Sequence, residues 1–135
     1  MTKKKYIKTY STVYGVDIVI ANMNVGLTDL TKDYTYSDNV ELDEGVMDCL
    51  ASTSTAKNRK TNRYCILVKL NKLSSIKGIN KTLDLINTAS HEALHTALRL
   101  YQFAEQDIDV HANNENLAYL VGWLTEIIYG VWTMK

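Results

Sequence analysis

The chain has 135 residues, 46% of them apolar and 22% charged, which is enough for one domain with a buried core. Fifteen basic and fifteen acidic side chains cancel, so no overall field points to nucleic acid or to an anionic membrane surface as a partner. The longest apolar runs, "IVIA" and "CILV", are far too short to span a bilayer.

Two cysteines, Cys49 and Cys65, lack CxxC spacing and make no disulfide framework, so a reducing, cytoplasmic setting is expected. The start, "MTKKKYIKTYSTVYG", is basic but has no uninterrupted apolar region, so a secretory signal is not expected. "MTKKKY" and "KNRKTNR" read as a terminus and a solvated loop.

Residues 6–24, "YIKTYSTVYGVDIVIANMN", are rich in β-branched and aromatic side chains. They predict strand, best over Val16–Ala21, with Gly15 available for a bend. "LTKDYTYSDNVELDEG" is polar and turn-like, "VMDCLA" fits a short helix or a strand, and "STSTAKNRKTNR" has the composition of a surface loop. "RYCILVKLN", Arg63–Asn71, predicts a second strand, with Cys65 as a small buried hydrophobe.

From about Asn80 to Phe103 the pattern turns helical, with Leu83, Ile86, Ser90, Leu94, Ala97 and Tyr101 along one stripe. "AEQDIDVHANN" supplies a connection. "NENLAYLVGWLTEIIYGVW" then resumes the helical pattern through Leu117, Leu120, Val121, Leu124, Ile127 and Ile128, with Asn113 or Asn114 as N-cap. Trp123 and Trp132 fit the core or a partner contact. The expectation is a single α+β domain over 1–135, a small N-terminal sheet followed by two long packed helices.

The chemistry concentrates in "HEALH". His91 and His95 lie four residues apart, so on a helix they project from one face and can reach one metal ion. Glu92 points about 100° away, close enough to take a proton from water without being a ligand. A catalytic zinc needs three protein ligands and an open position. The metzincin extension fails here, because Leu98 and Tyr101 stand where it needs glycine and histidine. Glu115, nineteen residues past His95 and in the first turn of the next helix, is the leading third ligand. Ala118 and Gly122 on roughly its face would permit a close helix approach. Its first-turn place is also what the helix dipole favours in any protein. His111 is the rival ligand.

"HEALH" followed after nineteen residues by "NE" resembles the gluzincin clan of zinc metallopeptidases, whose thermolysin-like pattern is HExxH…NExxxD. The resemblance implies Zn2+ held by His91, His95 and Glu115, with Glu92 as general base in the hydrolysis of a peptide or protein substrate. Tyr119 stands where that pattern has the aspartate that orients the first histidine. Asp84, Asp107, Asp109 or a backbone carbonyl would have to substitute. Tyr101, Tyr119 and His111 are candidate oxyanion donors, or else core and rim residues.

"LINTASHEALH" with "ENLAYLVGWLTEIIYG" is also similar to small proteins of tailed bacteriophages and prophages, including crAss-like phages of gut bacteria. That likeness implies a minimal zincin-like fold, in the cytoplasm of a bacterial host or in the virion. It leaves open whether such a protein cleaves anything or serves as a non-catalytic virion or host-interaction protein. By the same resemblance, "RYCILVKLN" would be the strand lining a substrate cleft; otherwise it is an ordinary buried strand.

Overall fold

The computed structural model describes residues 4–47, 49–71, 81–105 and 115–134. The segment expected to be strand forms a hairpin of β1 (Ile7–Ser11) and β2 (Asp17–Ala21), paired antiparallel with Ser11 opposite Asp17. Gly15 turns between them at φ +76°, a conformation that costs glycine nothing because it has no Cβ. The chain continues through α1 (Leu27–Asp33), β3 (Tyr34–Tyr36), a 3-10 turn at Glu44–Val46, β4 (Ala51–Asn58) and β5 (Tyr64–Leu70). Two long helices, α2 (Lys81–Phe103) and α3 (Glu115–Thr133), follow and pack on each other. The architecture is α+β.

The five strands lie in the order β1-β2-β5-β4-β3, with β2 and β5 parallel and every other pair antiparallel. β5 is therefore central, hydrogen-bonded on both sides. It cannot accept a substrate strand as an edge would, so its side chains serve the core. Alternation sends Ile66, Val68 and Leu70 to one face, where they meet α2 and α3. Cys65 and Leu67 go to the other, where Leu30 of α1, Tyr34 and Leu42 cover them. Among the described residues no helix is long and apolar enough to cross a membrane.

Three expectations need correction. "LTKDYTYSDNVELDEG" is not one polar turn: it holds most of α1, β3 and the 3-10 turn. α1 survives its polarity because the Asp29 carboxylate accepts the Gly26 N–H at 2.8 Å at its start and Leu30 is fully buried. The "STSTAKN" segment is not a loop but most of β4, paired with β5 from Ala51 opposite Leu70 to Lys57 opposite Tyr64. Threonine is β-branched and suits a strand. Composition had hidden that preference behind the polar hydroxyls. The turn is shorter, at Asn58–Arg63, where Asn58 Oδ1 accepts the N–H groups of Lys60 and Thr61.

The third correction concerns which face of α2 is buried. Leu85, Ala89, Glu92, Ala93, Thr96, Ala97 and Leu100 face the protein, whereas Leu83, Ile86 and Leu94 of the expected stripe are exposed. The buried face is rotated by roughly one residue, about 100°. The cause is size: alanine is small enough to be buried where α2 packs against the sheet and α3, so the buried face is not the one that carries the large side chains. The α3 stripe stands, with Leu124 and Ile128 buried and Leu117, Leu120, Val121 and Ile127 packed against the core. Asn80, Asn113 and Asn114 lie outside the described residues.

Lys69 is the unusual core residue. It is 0% exposed on the α1 side of β5, level with Ala21 and Ser52. Its Nζ donates to the carbonyls of Asn22 (3.1 Å) and Leu70 (2.5 Å), and among the described residues no carboxylate pairs with it. Burial pushes its ammonium down to about 8 from the usual 10.5. The folded state then binds fewer protons than the unfolded chain between pH 8 and 10.5, so stability rises with pH across that window. Below about pH 8 the full cost of the buried charge, on the order of 3 kcal/mol, is present. Lys69→Met removes that charge, and the Asn22 carbonyl keeps its bond from the Val25 N–H. Urea denaturation should find Lys69→Met at least as stable as wild type at pH 7, with wild type gaining on the variant as pH rises from 8 towards 10.

Candidate metal centre

The close seat of α2 brings its polar residues against β4. Thr53 and Thr55, two residues apart on the helix-facing side of that strand, each meet one of them. Thr53 Oγ1 donates to Glu92 Oε2 at 2.5 Å, and Arg99 Nη1 donates to Thr55 Oγ1 at 2.8 Å. The order of these contacts shows β4 and α2 running the same way. Thr96, also buried, turns its hydroxyl back onto the Glu92 carbonyl at 2.8 Å.

Glu92 is only 5% exposed, and a carboxylate so placed must be hydrogen-bonded to be tolerated. Thr53 supplies that bond to one oxygen. Among the described residues the only buried side-chain polar atom without a partner is Asn71 Oδ1. For the other Glu92 oxygen no hydrogen-bond partner is seen among the described residues. Thr53 thus fixes the Glu92 carboxylate in the α2–β4 seam.

His91 and His95 project from the exposed side of the same turns. Their Nε2 atoms are 3.1 Å apart, with ring centroids 4.7 Å apart and planes at 78°. Two nitrogens each about 2.0–2.1 Å from one tetrahedral zinc would lie roughly 3.3 Å apart. The pair fits two corners of such a site with almost no movement. Without an ion, one ring's N–H donates to the other.

Glu115 does not join them. It is the first residue of α3 and is exposed, as are Ala118 and Gly122 on its face. A Cβ added to Gly122 would meet nothing within 4 Å, so these small residues do not mediate a close helix approach. The buried face of α3, with Leu124, Ile128 and Val131, is the opposite one. Among the described residues no three His, Cys, Asp or Glu side chains come together to hold a metal ion. His111, Asp107 and Asp109 lie outside the described residues. The described residues thus bring two histidine nitrogens to a spacing compatible with a shared zinc and bring no third donor to them.

Tyr119 is 74% exposed, and Tyr101 is half-buried. The tryptophans divide: Trp132 is buried and donates to the Asn71 carbonyl at 3.3 Å, while half-exposed Trp123 meets Tyr10 edge-on at 5.4 Å. Cys65 is buried, and desolvation pushes its thiol up to about 12, which leaves it inert.

Sequence reasoning missed Thr53, Thr55 and Arg99. The signal was present: Thr53 and Thr55 have the spacing of one strand face, and Arg99 follows His95 by one helical turn.

Thr53→Val should leave the Glu92 carboxylate buried without its donor, at a cost of about 1–3 kcal/mol in unfolding free energy. In a double-mutant cycle with Glu92→Met the two losses should not add, because once Glu92 is gone Thr53 has no carboxylate to bond. Additive effects in urea denaturation would mean the contact carries no stability.

Models of protein families, curated proteins and solved structures were each compared with the chain, and none matches.

Proposed function

We propose that this chain is a zincin-like, zinc-dependent hydrolase of peptides or proteins, with His91 and His95 as metal ligands and Glu92 as general base. The observation that carries the reading is the pair of imidazole nitrogens 3.1 Å apart on one turn of α2 whose next residue, Glu92, is a carboxylate locked by Thr53. When bound, zinc would supply a Lewis acid that polarises a carbonyl and acidifies water. The chain's own part is proton handling. Glu92 takes the proton of the attacking water on the oxygen that Thr53 does not bond and returns it to the leaving amine. Thr53 keeps that carboxylate from swinging away from the histidines.

The gluzincin resemblance makes Glu115 the third ligand, and His111 is the alternative. The first would require the N-terminal turn of α3 to rotate its exposed face towards α2. Zinc analysis of protein purified without added metal separates the two. One zinc per chain is expected in wild type, with loss in His91→Ala and in His95→Ala. Loss in Glu115→Gln or in His111→Ala would name the third ligand. Glu92→Gln should retain zinc yet hydrolyse an unstructured protein such as casein at least about a hundredfold more slowly, the usual range for losing a general base. Equal, negligible zinc in wild type and His95→Ala would end this reading.

A second reading is a non-catalytic phage virion or host-interaction protein that retains the fold. Two observations favour it: Tyr119 occupies the orienting aspartate's place and is turned to solvent, and Glu115 faces away from the core. Under that reading Glu92→Gln changes stability and no activity.

A further inference from the structure

The chain has three arginines: Arg59, Arg63 and Arg99. Arg59 pairs with Glu41 at 3.1 Å and Arg63 with Asp17 at 3.0 Å. Arg99 alone has no carboxylate partner among the described residues. It is nonetheless half-buried and held in place, because Nη1 donates to Thr55 Oγ1. A guanidinium has five N–H donors in a fixed fork that matches a carboxylate with two parallel bonds. Thr55 occupies one donor, and among the described residues no other group is seen on the rest.

Its position gives that fork a use. His91, His95 and Arg99 follow at steps of four along α2, each about 6 Å further along the axis and turned slightly towards the β4 side. Glu92 and Arg99 are pinned by adjacent threonines of one strand face, so base and guanidinium share one seam. A short peptide segment reaching from the histidine pair along α2 would bring its next polar group to Arg99.

We propose that Arg99 is a specificity residue that binds a carboxylate of the ligand held at His91 and His95. The substrate class is then peptides with a carboxylate, at the C-terminus or on an acidic side chain, close to the bond attacked. This rests on the hydrolase reading for what happens to the ligand, but the carboxylate contact itself needs no metal. Thr55 acts as a positioning residue: its hydroxyl fixes the guanidinium's direction.

The test uses the full-length chain without zinc and three small probes. N-acetylglycine carries a terminal carboxylate, the diamide of N-acetylaspartate a side-chain one, and N-acetylglycinamide none. Binding is followed by NMR at the Arg99 Nε–H and the Thr55 amide. At least one carboxylate probe should saturate both signals while the amide does not, and the stronger of the two identifies terminal or side-chain recognition. Arg99→Gln should weaken that probe by about tenfold or more, the worth of a charge-assisted hydrogen bond. Thr55→Val, which keeps the charge but frees it, should weaken it by less. Equal response to the neutral amide, or an unchanged affinity in folded Arg99→Gln, would overturn the proposal. Carboxylate binding with no zinc uptake would retain Arg99's role and remove the hydrolase. Zinc uptake with no carboxylate response would do the reverse.

Discussion

The distance between α2 and the sheet governs the candidate site. Ala89, Ala93 and Ala97 are all fully buried, in the same core cluster as Ile66 and Val68 of the sheet and Leu124 and Ile128 of α3. A threonine hydroxyl on β4 reaches a carboxylate or a guanidinium on the helix only where the two elements lie within hydrogen-bonding reach. A leucine at any of the three alanine positions would overpack that cluster and strain both contacts. Core packing and site geometry are thus the same constraint, expressed on two sides of one helix.

This explains which parts were legible from the sequence. Strands built from isoleucine, valine and leucine, such as Asp17–Ala21 and Tyr64–Leu70, announce themselves because apolar burial and β-branching point the same way. The α3 stripe is legible for the same reason, since large side chains mark its buried face. α2 misleads because its buried face is made of alanine, threonine and a glutamate, while its large side chains Leu83, Ile86 and Leu94 lie outside. Periodicity weighted by size finds the wrong side of such a helix. β4 misleads in the complementary way: Ser and Thr read as loop when counted, but pairing with β5 makes them a strand, and two of the hydroxyls, of Thr53 and Thr55, find partners across the seam. In the candidate site, the helix and the i, i+4 histidine geometry followed from spacing alone. The supporting threonines did not, because they belong to a strand some forty residues earlier.

Among the described residues, the buried lysine and the buried glutamate show opposite solutions to one problem. Lys69 enters the core without a counter-charge and is tolerated through two backbone carbonyls and a lowered proton affinity. Glu92 enters beside a hydroxyl that donates to it. Lys69 is sealed on the α1 side of the sheet, the face opposite the helix that carries His91 and His95. Glu92 lies on the helix side with its carboxylate between a strand and an exposed imidazole pair. Burial alone therefore does not single out the reactive group. What distinguishes Glu92 is its bond to one strand hydroxyl and its place next to an exposed histidine pair.

The same comparison bears on the third ligand. His91 and His95 sit on the exposed flank of α2, away from the sheet, and would hold the proposed zinc there. Any third donor must then come from a neighbouring segment that lies over that flank, since the sheet side is already occupied by Thr53, Thr55 and the alanine seat. Glu115, with its face of α3 turned outwards, can serve only if that first helical turn reorients when the ion binds. The Glu92–Thr53 contact is indifferent to this choice, because it depends on the helix-to-strand distance and not on the metal. Under the proposed reading, the Glu92 carboxylate would be positioned before any ligand set is complete, and metal affinity and proton transfer would be separable properties of one helix.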